Sequence, residues 1–138
     1  MQATNLKTNH LSAPLGMDAG TLFLSWQCAG GVRQTAYEIE VTAGAGTLWE
    51  SGKILSSMMH TETPAAVPPK TQGQWRIRLW DENDQPGAWS EAEFETGLAQ
   101  SDWQGVWVCP ETEEPDIDCI DAINAFAKPN WEQKQAAL

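Results

Sequence analysis

Between residues 74 and 81 the chain reads Gln-Trp-Arg-Ile-Arg-Leu-Trp-Asp, and its character changes at every step. Trp75, Ile77 and Leu79 fall on one side of an extended backbone, and Arg76, Arg78 and Trp80 fall on the other. A period of two is the mark of a β-strand with one apolar and one amphipathic face. The apolar face has to be covered by a second layer, so the rest of the chain is expected to supply it. A dense turn segment, Glu82-Asn83-Asp84-Gln85-Pro86-Gly87, leads into a second predicted strand over residues 87–96, which makes a hairpin.

Earlier segments carry the same pattern. Residues 4–11 are a short edge-strand candidate with Leu6 as its apolar member, and the Pro14- and Gly16-bearing stretch 12–20 is a loop. Residues 22–28 alternate so that Leu22, Leu24 and Trp26 face inward. Residues 33–42 give the longest alternation, with Tyr37, Ile39 and Val41 as core members against Ala36, Glu38, Glu40 and Thr42. Residues 47–54 form a strand interrupted by Gly52, which marks a bulge or an end. Residues 57–63 are a further strand candidate, and the three prolines Pro64, Pro68 and Pro69 make the following stretch an extended crossover. Six or seven short strands with turns roughly every 8–12 residues predict an all-β antiparallel sandwich.

Charge narrows the function. The net charge of −11, with 8 Lys and Arg against 19 Asp and Glu, argues against nucleic acid and against an anionic membrane surface, both of which need clustered cations. No segment has the length of a membrane span or the apolar core of a signal peptide, so the expectation is a soluble, cytoplasmic protein. Cys28, Cys109 and Cys119 lack metal-type spacing. They read as reduced thiols, with a Cys109–Cys119 bridge as the alternative. Asp116, Asp118 and Asp121 lack the glycine of a calcium loop and read as a solvated face. No metal and no cofactor are expected. His10 and His60 are far apart in sequence and read as isolated hydrogen-bonding residues.

The character changes after Gly97. Asp102, Glu111, Glu113, Glu114, Asp116, Asp118, Asp121 and Glu132 face only Lys128 and Lys134, which puts −6 of the −11 in the last third. The division expected is a sandwich over residues 1–98 and a linker or extension over residues 99–138. An added strand over residues 101–108 and a short helix over 116–127 are expected within the extension. Ile117, Ile120, Ile123 and Phe126 recur every three residues on that helix.

Several of these stretches, taken in order, resemble a known pattern. Residues 9–18, Leu24-Ser25-Trp26, residues 33–39, Trp49-Glu50-Ser51-Gly52-Lys53, residues 75–81, Trp89-Ser90 and Phe94-Glu95-Thr96-Gly97 are similar to the N-terminal domain of bacterial α-L-rhamnosidases. The resemblance extends from Asn9 to about Trp107. It implies a fibronectin type III or immunoglobulin-like β-sandwich. It also implies a parent glycoside hydrolase that removes terminal rhamnose with inversion, in an (α/α)6 barrel far downstream. Nothing here corresponds to that barrel, so no catalytic residue can be transferred.

The tryptophans supply the candidate sites. Arg76, Arg78, Trp80 and Trp89 are expected to form a structural Arg/Trp ladder, similar to the Trp-Ser ladders of cytokine-receptor sandwiches, because guanidinium groups stack on indole faces. Trp49, Trp80 and Trp89 are the candidates for stacking on a sugar ring. Trp103 and Trp107, where the chain leaves the sandwich, are candidates for interdomain packing. Three functions compete. The first is a non-catalytic accessory module whose partners are the downstream domains of the same polypeptide. The second is a carbohydrate-binding module for rhamnose-containing glycosides. The third is a protein-interaction domain, for which a homodimer through the 116–127 helix would be evidence.

Overall fold

The computed structural model describes residues 1–106 and 108. Trp107, Cys109, Cys119, the acidic run and the 116–127 helix expected from sequence lie outside the described residues. Residues Met1–Gln104 form one compact unit. Its strands are β1 (Gln2–Thr8), β2 (Phe23–Ala29), β3 (Ala36–Ala43), β4 (Gly46–Glu50), β5 (Ile54–Leu55), β6 (His60–Glu62), β7 (Gln72–Trp80) and β8 (Ser90–Glu95). A 3-10 turn over Gln100–Asp102 follows.

Two antiparallel sheets result. One has the order β1-β2-β6, and the other β4-β3-β7-β8, with β5 also paired to β3. Their inner faces make the core, and the alternation in the sequence dictates which residues enter it. β7 lies between β3 and β8, in a register that sets Val41 opposite Trp75, Ile39 opposite Ile77 and Tyr37 opposite Leu79. These six are buried, and Leu24 and Trp26 of β2, with Leu22 just before it, join them in the core. Trp75 is completely buried. Its indole N–H donates to Thr8 Oγ1 at 2.9 Å, so the one polar atom of that large ring is satisfied by an equally buried hydroxyl.

Several strand limits differ from expectation, each for a local reason. β1 stops at Thr8 because Asn9 and His10 both take positive φ, 48° and 68°, and turn the chain. Asn9 then accepts the Phe23 N–H through its side chain at 2.8 Å. The interruption at Gly52 is real: β4 ends at Glu50, β5 begins at Ile54, and Gly52 between them has φ 61°. The strand expected over residues 57–63 shrinks to His60–Glu62. The carbonyls of Ser56 and Met58 are taken by the Gln34 side chain rather than by a neighbouring strand. β8 starts only at Ser90, so Trp89 sits in its lead-in, not in the strand. The loop before it is longer than a tight turn because Asp81 accepts the N–H groups of both Asn83 and Gln85. The strand expected from residue 101 is instead the 3-10 turn, among the described residues of that stretch. Among the described residues no helix is long and apolar enough to cross a membrane.

Candidate functional site

Two surfaces carry the candidate residues. The first is the outer face of the larger sheet. Because β3 and β7 pair with Glu38 opposite Arg78 and Glu40 opposite Arg76, each arginine faces a carboxylate across the ladder. Both ion pairs close at 2.6 Å, Arg76 Nη2 to Glu40 Oε2 and Arg78 Nε to Glu38 Oε2. The guanidinium planes also lie over indoles. Arg76 is 4.5 Å and Arg78 4.8 Å from the Trp89 ring centre, and Arg78 is 5.0 Å from that of Trp80. Lys53, from the loop between β4 and β5, adds a third cation 4.9 Å from the Trp80 ring and also pairs with Asp84. The order along the face is therefore Lys53, Trp80, Arg78, Trp89, Arg76. Each exposed contact of this kind contributes about 0.5–1 kcal/mol.

This arrangement bears on the sugar candidates. Trp80 is 7% exposed, buried beneath Arg78 and Lys53 and beside the buried Ala36 that pairs with it, so it has no free face for a pyranose. Period two placed it outward correctly but could not show that its neighbours close over it. Trp89 is half-buried, with two guanidinium groups over its ring. Trp49 is half-buried on β4 and packs against the edge of the core.

The second surface is the end of the sandwich from which the chain departs. Here the backbone is tied closely. Gly97 N–H donates to Met17 O at 2.8 Å, and Gly97 O accepts from Lys70 N–H at 2.9 Å. A Cβ on Gly97 would meet the Gly16 carbonyl oxygen at 2.9 Å, so the two loops approach too closely for a larger residue. Thr96, buried, donates to Pro68 O and accepts from Thr71 N–H. Beyond Gly97, Asp102 takes the Ala99 N–H at 3.1 Å and the Lys70 ammonium at 2.8 Å. Those two interactions, Lys70 first, hold the Asp102 carboxyl below the usual carboxylate range. Lys70 itself has φ 56°, a strained value for a side-chain-bearing residue. Leu15, Leu98 and Trp103 are exposed beside this clamp, Trp103 at 69%.

Sequence reasoning missed three other features. Gln34, 4% exposed, accepts the Trp26 indole N–H at 2.9 Å and donates to Ser56 O and Met58 O, both at 2.9 Å. No periodic signal marks a buried amide of this kind. Cys28 donates to the same Gln34 oxygen at 3.3 Å, and its thiol is free and pushed up by burial. His10 and His60 are not isolated. Both rings lie against Phe23, His10 tilted with its centroid 4.8 Å away and His60 stacked at 5.4 Å, because the 8–11 turn and β6 both return to β2.

The chemistry open to these groups is structural. Asp81 and Glu82 are shifted downward by backbone hydrogen bonds, and Asp102 by the Lys70 ammonium and then the Ala99 N–H, the reverse of what a glycosidase general acid needs. Among the described residues no group of three or more His, Cys, Asp or Glu could hold a metal.

Comparison with known proteins gives a consistent set of matches. The family described as Rha78A-like, N-terminal immunoglobulin domain matches residues 3–100. An α-L-rhamnosidase of Streptomyces avermitilis is 32% identical over 133 residues, covering 86% of this chain and 13% of that protein. One from Alteromonas sp. is 30% identical over 139 residues, covering 91% of this chain and 15% of that protein. In solved structures, the α-L-rhamnosidase from Dictyoglumus thermophilum aligns with TM-score 0.69 at 29% identity, over 75% of this chain and 13% of that one. The chain thus spans about one seventh of the length of the relatives it matches.

Proposed function

The chain belongs to the family of Rha78A-like N-terminal immunoglobulin domains, and from that membership we infer that it is a non-catalytic accessory β-sandwich of an α-L-rhamnosidase-type glycoside hydrolase. Its work is mechanical. The sandwich fixes where, and in which direction, the polypeptide leaves toward the domains that act on terminal rhamnose.

The observation that carries this reading is the clamp at the exit. Thr96, Gly97, Lys70 and Asp102 hold the departing backbone by hydrogen bonds and an ion pair, and Leu98 and Trp103 are exposed beside it. A chain that only needed a tether would not require a close glycine contact and a strained lysine at that point. The exposed apolar side chains are suited to a following domain, whose docking would remove them from water at about 25 cal/mol per Å². Rhamnose-containing glycosides would then meet the parent enzyme elsewhere. We further propose a cytoplasmic location, in which the free Cys28 thiol would stay reduced.

The test is paired. This chain alone should show no turnover of an aryl α-L-rhamnoside, and Trp103 should be protected from hydroxyl-radical modification in the full-length polypeptide but not in this chain by itself. Turnover by this chain, or equal modification of Trp103 in both, would end the proposal.

A further inference from the structure

The clamp accounts for the exposed apolar groups at one end of the sandwich but not for those at its open side. There, from the start of β5 to the residue before β6, four large apolar side chains crowd into six residues. Ile54 is 38% exposed, Leu55 80%, Met58 53% and Met59 46%. The segment is not a loose loop. Ile54 and Leu55 are paired to β3, Ser56 N–H donates to Thr35 O, and Met59 O accepts from Trp26 N–H. From beneath, the buried Gln34 amide holds the carbonyls of Ser56 and Met58. A chain crossing from one sheet to the other could as well expose Ser, Asn or Lys. This one presents apolar ends outward on a backbone fixed from within.

We propose that this ridge, residues 54–59, is a second docking surface, seated against a later domain of the same polypeptide rather than against a free partner. The inference rests on the accessory-domain reading above. Its occupant follows from size. Four partly exposed side chains offer a few hundred Å² at most, below the ~800 Å² per partner that a stable complex of separate chains buries. A second copy of the chain would have to meet the entropy of association with that area alone. A domain joined covalently does not, because the tether gives it an effective concentration in the millimolar range. The relatives matched by this chain are about seven times its length, so later domains exist in them to occupy the site. Two thioethers in the ridge suit such a contact, since unbranched methionine side chains adapt to an irregular opposing surface. The ridge and the clamp lie toward opposite ends of β7: Ala36, paired to Trp80, is joined to Leu55, whereas Thr71, just before β7, is joined to Thr96. The module is thereby gripped at two places and works as a spacer.

Hydroxyl-radical footprinting read by mass spectrometry tests this on the full-length polypeptide and on this chain alone, with Trp103 followed in the same samples. Modification of Met58 and Met59 should fall about five- to tenfold in the full-length polypeptide, as expected for thioethers removed from solvent. Equal modification of Met58 and Met59 in both, with Trp103 still protected, overturns the ridge and leaves the accessory reading standing. Loss of protection at both places overturns both. Protection of Met58 and Met59 that grows with the concentration of this chain alone means a second copy, and also overturns the proposal. The double variant Leu55→Lys, Met58→Lys supplies the converse. It should restore modification of Met59 in the full-length polypeptide while leaving the unfolding midpoint of this chain unchanged.

Discussion

Trp75 and Trp89 lie against the two sides of the same sheet and are held by opposite means. Trp75 is inside, fully buried, with one hydrogen bond to Thr8 and otherwise apolar neighbours. Trp89 is outside and half-buried, with the cations of Arg76 and Arg78 over its ring and Glu40 and Glu38 behind them. The inner site draws on removal of area from water and on close packing, which act at any ionic strength. The outer site draws on charge in a partly wet setting, where each interaction is weaker and is screened by salt. The same residue type therefore carries the fold on one face and trims it on the other.

Five substitutions and one titration sharpen this contrast. Trp75→Ala should be the most damaging, costing about 3–5 kcal/mol, because it removes a large buried ring and leaves a cavity. A urea melt of the purified chain measures it, and a loss under 1 kcal/mol would break the comparison. Thr8→Val should cost about 1–3 kcal/mol by the same measurement, since the Trp75 N–H would remain buried without an acceptor. On the outer face Arg78→Met should cost about 1 kcal/mol, as one guanidinium serves two rings and a carboxylate. Its effect should shrink in 1 M salt, whereas that of Thr8→Val should not. Lys53→Met should stay within about 0.5 kcal/mol, because its partner Asp84 is largely exposed.

The smallest effect is local and depends on pH. The Asp102 carboxyl is lowered in the folded state, so its hold on Ala99 and Lys70 is fully present above the ordinary aspartate range near pH 3.9 and is lost as the pH falls through the lower folded value. The Ala99 amide resonance should be constant from pH 7 to 5 and shift below about pH 4. The Asp102→Asn variant should show no such step.

The inner site was legible in the sequence and the outer one only in part. Strict alternation identifies Tyr37, Ile39, Val41, Trp75, Ile77 and Leu79 as one apolar layer, since period two has one physical cause. The same rule brings Arg76, Arg78 and Trp80 together on the opposite side. It could not show Trp80 closed over by Lys53, because that depends on how the Gly52 turn returns the chain. The cluster of His10, Phe23 and His60 was hidden for a similar reason: three segments meet there through a left-handed turn and a three-residue strand pairing. The clamp left one trace, the Thr96-Gly97 pair at the strand end. The partners Lys70 and Asp102 are surface charges whose pairing only the fold decides.

Gln34 has a consequence for how such a module can drift. One amide group joins an indole, a thiol and two backbone carbonyls. Leucine there would strand several partners in a single step, and glutamate would set a negative charge against two oxygens. The β2 tryptophan and the crossing segment are thus bound to one shared joint. Lineages that reshape residues 54–59 should alter position 34 and position 26 together, or keep all three.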